Sequence, residues 1–174
     1  MEVKKIVVFG CDNTGKTTLC ENLKTFIAWK NKDVNSVVVA KSLGPNKSVE
    51  EQIDFMELTL NDKQKTIIFD RFPIIEEATC GKVLRGKDNF QEWENTNVVD
   101  LLGKVDLFIF CYPGLFDVLN WGEREQLDGV KDNALKLINA YNEMAVSLRS
   151  LGFKVLEYNY KSINMNEFLE EVIK

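Results

Sequence analysis

The chain has 174 residues, 45% hydrophobic and 28% charged, a composition typical of one folded domain rather than of a disordered or fibrous protein. Its 22 basic and 27 acidic residues give a net charge of −5, which argues against a nucleic-acid substrate or an anionic membrane as partner. The absence of histidine excludes histidine general bases, Ser-His and Cys-His nucleophiles and the usual zinc patterns.

No repeat or linker composition divides the chain, so we predict a single domain over residues 1–174. The short apolar run at the N-terminus leads directly into a glycine-rich segment, and no stretch approaches about 18 apolar residues. We therefore expect a cytoplasmic protein without a membrane span. The four cysteines have no CxxC spacing and are expected to be free, buried thiols.

Five apolar runs rich in β-branched and aromatic residues predict strands at Val3–Phe9, Val34–Ala40, Thr66–Phe69, Leu107–Cys111 and Phe153–Tyr158. Runs without polar alternation are typical of parallel strands covered by helices on both faces. Helices are predicted between and after them, at Gly15–Lys30, Ser48–Leu60, Ile74–Gly86, Phe90–Gly103, Val130–Ser150 and Asn164–Ile173. The alternation of strand and helix predicts a three-layer α/β fold.

The segment GCDNTGKTT, residues 10–18, lies between the first predicted strand and the first predicted helix. It matches the spacing GxxxxGK[ST] of a phosphate-binding loop, in which backbone N–H groups and a helix N-terminus bind phosphate oxygens. We predict that Lys16 reaches the β- and γ-phosphates of ATP and that Thr17 binds Mg²⁺; an ordinary flexible turn is the alternative. The predicted ATP-binding residues are Asn13, Thr14, Gly15, Lys16, Thr17 and Thr18.

Two carboxylates stand near this loop. Asp12 lies inside it, where bound phosphates would repel it unless it faces a second substrate or a cation. A sugar hydroxyl is a natural partner, and stabilisation of the loop backbone by the Asp12 side chain is the alternative. Asp70 ends the third predicted strand, where ligands of open α/β sheets collect. We predict that Asp70 binds Mg²⁺ or accepts a proton and that Arg71 holds a phosphate. The alternative is a surface salt bridge between the two side chains.

The pairing of GCDNTGKTT with DRF, residues 70–72, resembles the thymidylate kinase family of nucleoside monophosphate kinases. EEATCGKVLRG, residues 76–86, is similar to that family's stretch ending in Arg-Gly. NWGEREQLD, residues 120–128, stands where the family has an arginine-bearing lid, and the following NALKLINAYNEMA resembles the helix after that lid. The resemblance implies a P-loop kinase fold with a five-stranded parallel sheet in the order 2-3-1-4-5, a lid-like segment near residues 116–131, a helix-mediated homodimer and a role in nucleotide biosynthesis.

The resemblance also assigns roles to matching residues. It implies that Asp12 contacts the 3′-hydroxyl of the acceptor sugar, that Arg71 and Arg85 bind the acceptor phosphate, and that Arg124 binds the transferring phosphoryl group. Phe72 or Phe55 is a candidate for stacking on the base, although core packing is the ordinary fate of a phenylalanine. The predicted catalytic residues are Lys16, Asp70, Arg71 and Arg124.

The chain also departs from the family's pattern. It is shorter than typical members, and CYPG replaces the usual turn after the fourth strand. The segment KSLGPNKSVEEQ, residues 41–52, lacks the arginine that the family presents to the acceptor, which leaves Lys41 or Lys47 as substitutes. We therefore expect a compact viral or otherwise divergent relative.

Three functions compete. A monophosphate kinase explains two arginines beyond those needed for ATP, and an acceptor phosphate needs no histidine base. A kinase of a hydroxyl, on a nucleoside or on a modified base in nucleic acid, would use Asp70 as the base. A regulatory GTPase-like switch is disfavoured because NKDV, residues 31–34, has its Asp one position too early for the guanine-reading NKxD, and no DxxG follows the third strand.

Overall fold

The protein is described by a computed structural model that covers residues 4–44, 47–90, 95–112, 129–130 and 132–174. One parallel sheet has the order β2-β3-β1-β4-β5, which confirms the predicted order. Its strands are β1 (Lys5–Phe9), β2 (Val37–Lys41), β3 (Thr66–Asp70), β4 (Leu107–Cys111) and β5 (Val155–Tyr158). Every residue of β1, β3 and β4 is buried, which explains why their sequences show no polar alternation.

Helices connect the strands and cover both faces of the sheet. They are α1 (Lys16–Asn31), α2 (Val49–Leu60), α3 (Pro73–Glu76), α4 (Lys82–Arg85), α5 (Asn95–Gly103), α6 (Ala134–Ser150) and α7 (Met165–Val172). A π-helical turn, Glu77–Gly81, joins α3 to α4, so the single helix predicted over this region contains one widened turn. The second strand begins three residues later than predicted because Asp33 caps a short 3₁₀ helix at Val34–Ser36.

Two apolar clusters lie on opposite faces of the sheet. One includes Leu23 of α1 and Phe168 of α7. The other includes Met56 of α2 and Leu148 of α6, so the three-layer arrangement is also found. The carboxyl ends of β1 and β3 lie side by side, with Val8 opposite Asp70, so residues that follow the two strands meet at one edge of the sheet.

Part of the predicted lid lies outside the described residues. This holds for Arg124 and for every residue of 116–131 except Gly129 and Val130, so the lid stays a prediction. No helix in the described ranges is both long and apolar enough to cross a membrane. The cysteines behave as predicted in being free, with three buried and Cys80 half-buried.

Candidate functional site

The glycine-rich loop follows β1 and turns through backbone conformations that favour glycine. Gly10 and Gly15 have φ angles of 141° and 80°. A Cβ on Gly10 would lie 2.5 Å from the backbone oxygen of Cys111, at the end of β4, so the loop can pass this strand only without a side chain. The Thr14 hydroxyl donates to the Cys11 carbonyl at 2.7 Å, and the ammonium of the buried Lys16 donates to the same oxygen.

Gly10→Ala is expected to destabilise the fold strongly. The new Cβ would meet rigid backbone in a conformation that L side chains rarely adopt, and we expect the free energy of unfolding to fall by about 3 kcal/mol. Urea denaturation measures this. The matched control is Gly103→Ala, where a Cβ meets nothing within 4 Å. Equal unfolding midpoints for the two variants would contradict the close approach of loop and strand.

Thr17 and Asp70 form the oxygen-rich corner of the site. The Thr17 hydroxyl donates to Asp70 Oδ2 at 2.9 Å. The other carboxylate oxygen, Oδ1, is buried and has no hydrogen-bond partner among the described residues, a costly state that a cation or its bound water would relieve. The described residues contain no cluster of three or more potential metal-ligating side chains. Mg²⁺ in kinase sites needs fewer, since waters and substrate phosphates complete its shell, so these two residues fit the ion.

Arg71 links the loop to a neighbouring cavity. Its backbone has φ 73° directly after β3, and its N–H donates to the Val8 carbonyl at 3.1 Å. Its guanidinium donates to Asp12 Oδ1 and lies 3.5 Å from Glu76 Oε2. Asp12 Oδ1 is also 3.8 Å from the ammonium of Lys16. Asp12 therefore bridges the two cations expected to meet phosphates.

Glu76 is a half-buried member of this network that also contacts α6. Tyr141 of α6 donates its hydroxyl proton to Glu76 Oε1 at 2.9 Å. Burial raises the pKa of Glu76, although Arg71, Lys16 and the hydrogen bond from Tyr141 oppose the rise. Burial alone would lower the pKa of Arg71, but Glu76 and Asp12 outweigh it and the net pKa is raised. Arg71 therefore stays positively charged between its two carboxylates.

The raised pKa of Glu76 predicts a pH-dependent contribution to stability. Because the folded protein holds this proton more tightly than the unfolded chain, the contribution is complete below the ordinary value of 4.5 and is lost as pH rises through the folded-state pKa. The free energy of unfolding of the native protein, minus that of the Glu76→Gln variant, should therefore decrease as the pH rises above 4.5. Urea titrations across pH measure it, with Glu143→Gln, an exposed change on α6, as the control. A constant difference would contradict the prediction.

A cavity of about 300 Å³ opens beside Asp70 and Arg71. It is lined by Lys41, Ser42, Gly44, Gln52, Asp70, Arg71, Pro73, Glu76, Glu77, Cys80, Gly81 and Arg85. Of the two lysines considered as substitutes for the missing arginine, Lys41 lines this cavity. Lys47 instead pairs with Glu51 at 2.9 Å on the surface. Arg85 also lines the cavity, and its guanidinium is held by Glu77 at 2.6 Å; its acceptor-binding role stays a prediction.

The two phenylalanines suggested for base stacking pack in the core. Phe72 is fully buried and packs edge-to-face on Phe69, with ring centroids 5.0 Å apart. Phe55 packs on the same ring at 6.2 Å. Neither lines the cavity. Their stacking role stays a prediction, and for Phe72 it would require the ring to leave the core.

Several residues near the site were not predicted from the sequence. Glu76 and Glu77 stand out there only as adjacent acids at the start of an apolar helix, and Tyr141 only as part of the apolar stripe of α6. Tyr160, after β5, covers the phosphate loop, since a Cβ on Gly15 would lie 3.6 Å from it. No local signal marks that contact, because it joins opposite ends of the chain.

Comparison by sequence finds no match among protein families or curated proteins. Comparison by structure matches nearly the whole chain. The YorR protein of Bacillus subtilis, in complex with phosphorylated GDP, has 12% identity and a TM-score of 0.71, with coverage of 98% of this chain and 94% of YorR. Thymidylate kinase from Ehrlichia chaffeensis has 17% identity and a TM-score of 0.57, with coverage of 99% and 97%. Deoxyadenosine kinase from M. mycoides, with bound dATP, has 16% identity and a TM-score of 0.53, with coverage of 98% and 100%. The fold is that of P-loop kinases.

Proposed function

We propose that the protein transfers a phosphoryl group from ATP to a (deoxy)nucleoside monophosphate and that it is a divergent, thymidylate kinase-like enzyme. The observation that carries this proposal is the position of Arg71. Its guanidinium joins the phosphate loop, through Asp12, to the adjoining cavity, which it also lines. A cation between a donor loop and a second cavity suits an enzyme that must bring two phosphates together.

On the donor side, the loop's N–H groups and Lys16 would bind the β- and γ-phosphates, with Asn13, Thr14 and Thr18 completing the contacts. The Lys16 ammonium, which donates to the Cys11 carbonyl of the loop, would exchange that contact for phosphate oxygens. Mg²⁺ bound with ATP would be held by Thr17 and Asp70 and would neutralise charge on the phosphates. The lid residue Arg124 is proposed to meet the transferring group when the site closes.

On the acceptor side, Arg71 would exchange Asp12 for the acceptor phosphate. A guanidinium binds a phosphate through two parallel hydrogen bonds, which fixes the orientation of the attacking oxygen as well as neutralising charge. Glu76 pairs with the other terminal nitrogen of Arg71 and would keep the guanidinium at the cavity during this exchange. Asp12, released from Arg71, would then accept a hydrogen bond from the 3′-hydroxyl of the sugar.

One observation favours a second candidate, a kinase of a nucleoside hydroxyl. A hydroxyl must lose its proton during attack, and a carboxylate with a raised pKa is a suitable base. Glu76 is such a carboxylate and lines the cavity, and one structural neighbour is a deoxyadenosine kinase. The pairing of Glu76 with Arg71 weighs against it, because that contact leaves Glu76 occupied.

A kinase assay across acceptor classes tests both candidates. The purified protein is incubated with ATP, Mg²⁺ and a nucleoside, a nucleoside monophosphate or an oligonucleotide, and the products are identified by mass spectrometry. We expect diphosphate from a monophosphate and no product from the other two classes. Monophosphate formed from a nucleoside would favour the hydroxyl kinase, and ATP hydrolysis alone would contradict both. Sedimentation of the same sample tests the proposed homodimer.

A further inference from the structure

The π-helical turn forms one wall of the cavity, and an ion pair packs against the glycine of this turn. Arg85 folds back over the turn so that its NH2 lies 2.6 Å from Glu77 Oε2. A Cβ on Gly81 would lie 2.5 Å from that same nitrogen and 3.0 Å from Oε2. The pair therefore depends on a residue without a side chain at position 81. A π turn is uncommon and is frequently found at functional sites, since it redirects side chains.

Both members of this ion pair keep donors or acceptors that can bind a ligand in the cavity. Glu77 is only 5% exposed, and its Oε2 accepts from Arg85 and from the backbone N–H of Asn89 at 3.3 Å. Both of these hydrogen bonds end on Oε2, and Glu77 also lines the cavity. Arg85 is one-third exposed and has N–H groups beyond the one held by Glu77. A carboxylate oxygen and guanidinium N–H groups thus stand side by side.

We propose that Glu77 and Arg85 read the base of the acceptor and select one that carries an exocyclic amino group. This inference rests on the proposed monophosphate kinase function. Adenine, cytosine and guanine each offer an amino donor for Glu77 beside a ring nitrogen or carbonyl that accepts from Arg85. Guanine offers the most, because its N1–H and 2-amino group are adjacent donors and its O6 is an acceptor for the guanidinium. Arg85 accordingly binds the base, and Arg71 is left as the phosphate ligand.

Thymine and uracil suit this wall poorly. Their only ring donor, N3–H, lies between two carbonyl oxygens. A carboxylate that accepts from N3–H therefore comes close to a carbonyl oxygen, and the two negative groups repel each other. A buried carboxylate oxygen left unpaired by such a base costs free energy. Sites that hydrogen-bond a substrate group discriminate against analogues that lack it much more strongly than apolar pockets do.

Matched acceptors test the proposal on the native protein. dGMP and dIMP differ only in the 2-amino group, whereas dCMP and dUMP differ at position 4, amino against carbonyl, and at N3, which carries a proton only in uracil. We expect kcat/KM to be about 10-fold or more higher for the amino member of each pair, the discrimination typical of one good base contact. Equal values within the pairs, or dTMP as the best acceptor, would overturn the proposal while leaving the kinase function intact. No diphosphate from any of these acceptors would instead overturn the kinase function and the inference together.

Glu77→Gln tests the residue itself. The amide removes the charge and can turn an N–H toward the base, so the ratio of dGMP to dIMP turnover should fall toward one while the KM for ATP is unchanged. Glu50→Gln, an exposed change on α2, is the matched control and should retain the native ratio. An unchanged ratio in folded Glu77→Gln would overturn the assignment. Should the variant not fold, the acceptor pairs on the native protein decide the outcome.

Discussion

Lys16→Ala is expected to lose nearly all phosphoryl transfer while the protein stays folded. The ammonium lies over the phosphate loop, and within the described ranges its hydrogen bond and ion pair are to Cys11 and Asp12 of the same loop. Removing a preorganised positive group from a developing negative charge typically lowers kcat by on the order of 10²–10³. The measurement is kcat at saturating ATP, with circular dichroism and thermal unfolding as checks on folding.

Lys63→Ala is the control for this variant, since Lys63 is an exposed lysine in the turn before β3. It removes the same charge from the protein as a whole and should leave kcat at the native value. Turnover by Lys16→Ala close to that of Lys63→Ala would contradict the assignment of GCDNTGKTT as the ATP-binding loop. It would also leave the hydrogen-bonded Lys16 with a purely structural role.

Arg71→Ala is expected to raise the KM for the monophosphate acceptor about 100-fold and the KM for ATP far less. The acceptor would lose two charge-assisted hydrogen bonds, each typically worth about 1.5–3 kcal/mol before compensation. The substitution should not change the backbone strain at position 71, because arginine and alanine are both L residues at the same positive φ. Arg71→Lys should recover part of the affinity, since lysine keeps the charge and loses the two-pronged geometry.

Arg149→Ala is the matched control, since Arg149 pairs with Glu157 at an exposed position. Steady-state kinetics with each substrate varied in turn separate the two KM values. Equal increases in both KM values for Arg71→Ala would place Arg71 on the donor side of the site. A loss of kcat with no change in either KM would instead make it a group that acts only during transfer.

The sequence predicted most of the elements because their signals are local. Buried parallel strands carry continuous apolar runs, so all five were located to within a few residues. The largest errors lie at element ends and in the π turn at Glu77–Gly81, which hydrophobic periodicity cannot distinguish from an ordinary helical turn. The start of β2 was missed because the carboxylate of Asp33 caps a 3₁₀ helix that its apolar residues do not reveal.

The sequence by itself determined the phosphate loop and the carboxylate that ends β3, since a contiguous motif and a strand end are properties of short segments. Only the tertiary structure decided what surrounds them. Tyr141 and Glu76 are hydrogen-bonded although they stand 65 positions apart, and Asp12 and Arg71 although they stand 59 apart. Such pairs form because the sheet brings separate strand ends and helices to one edge. The phosphate loop can therefore be recognised from nine consecutive residues. The acceptor cavity forms only when β1, β3 and the helices after β3 pack together.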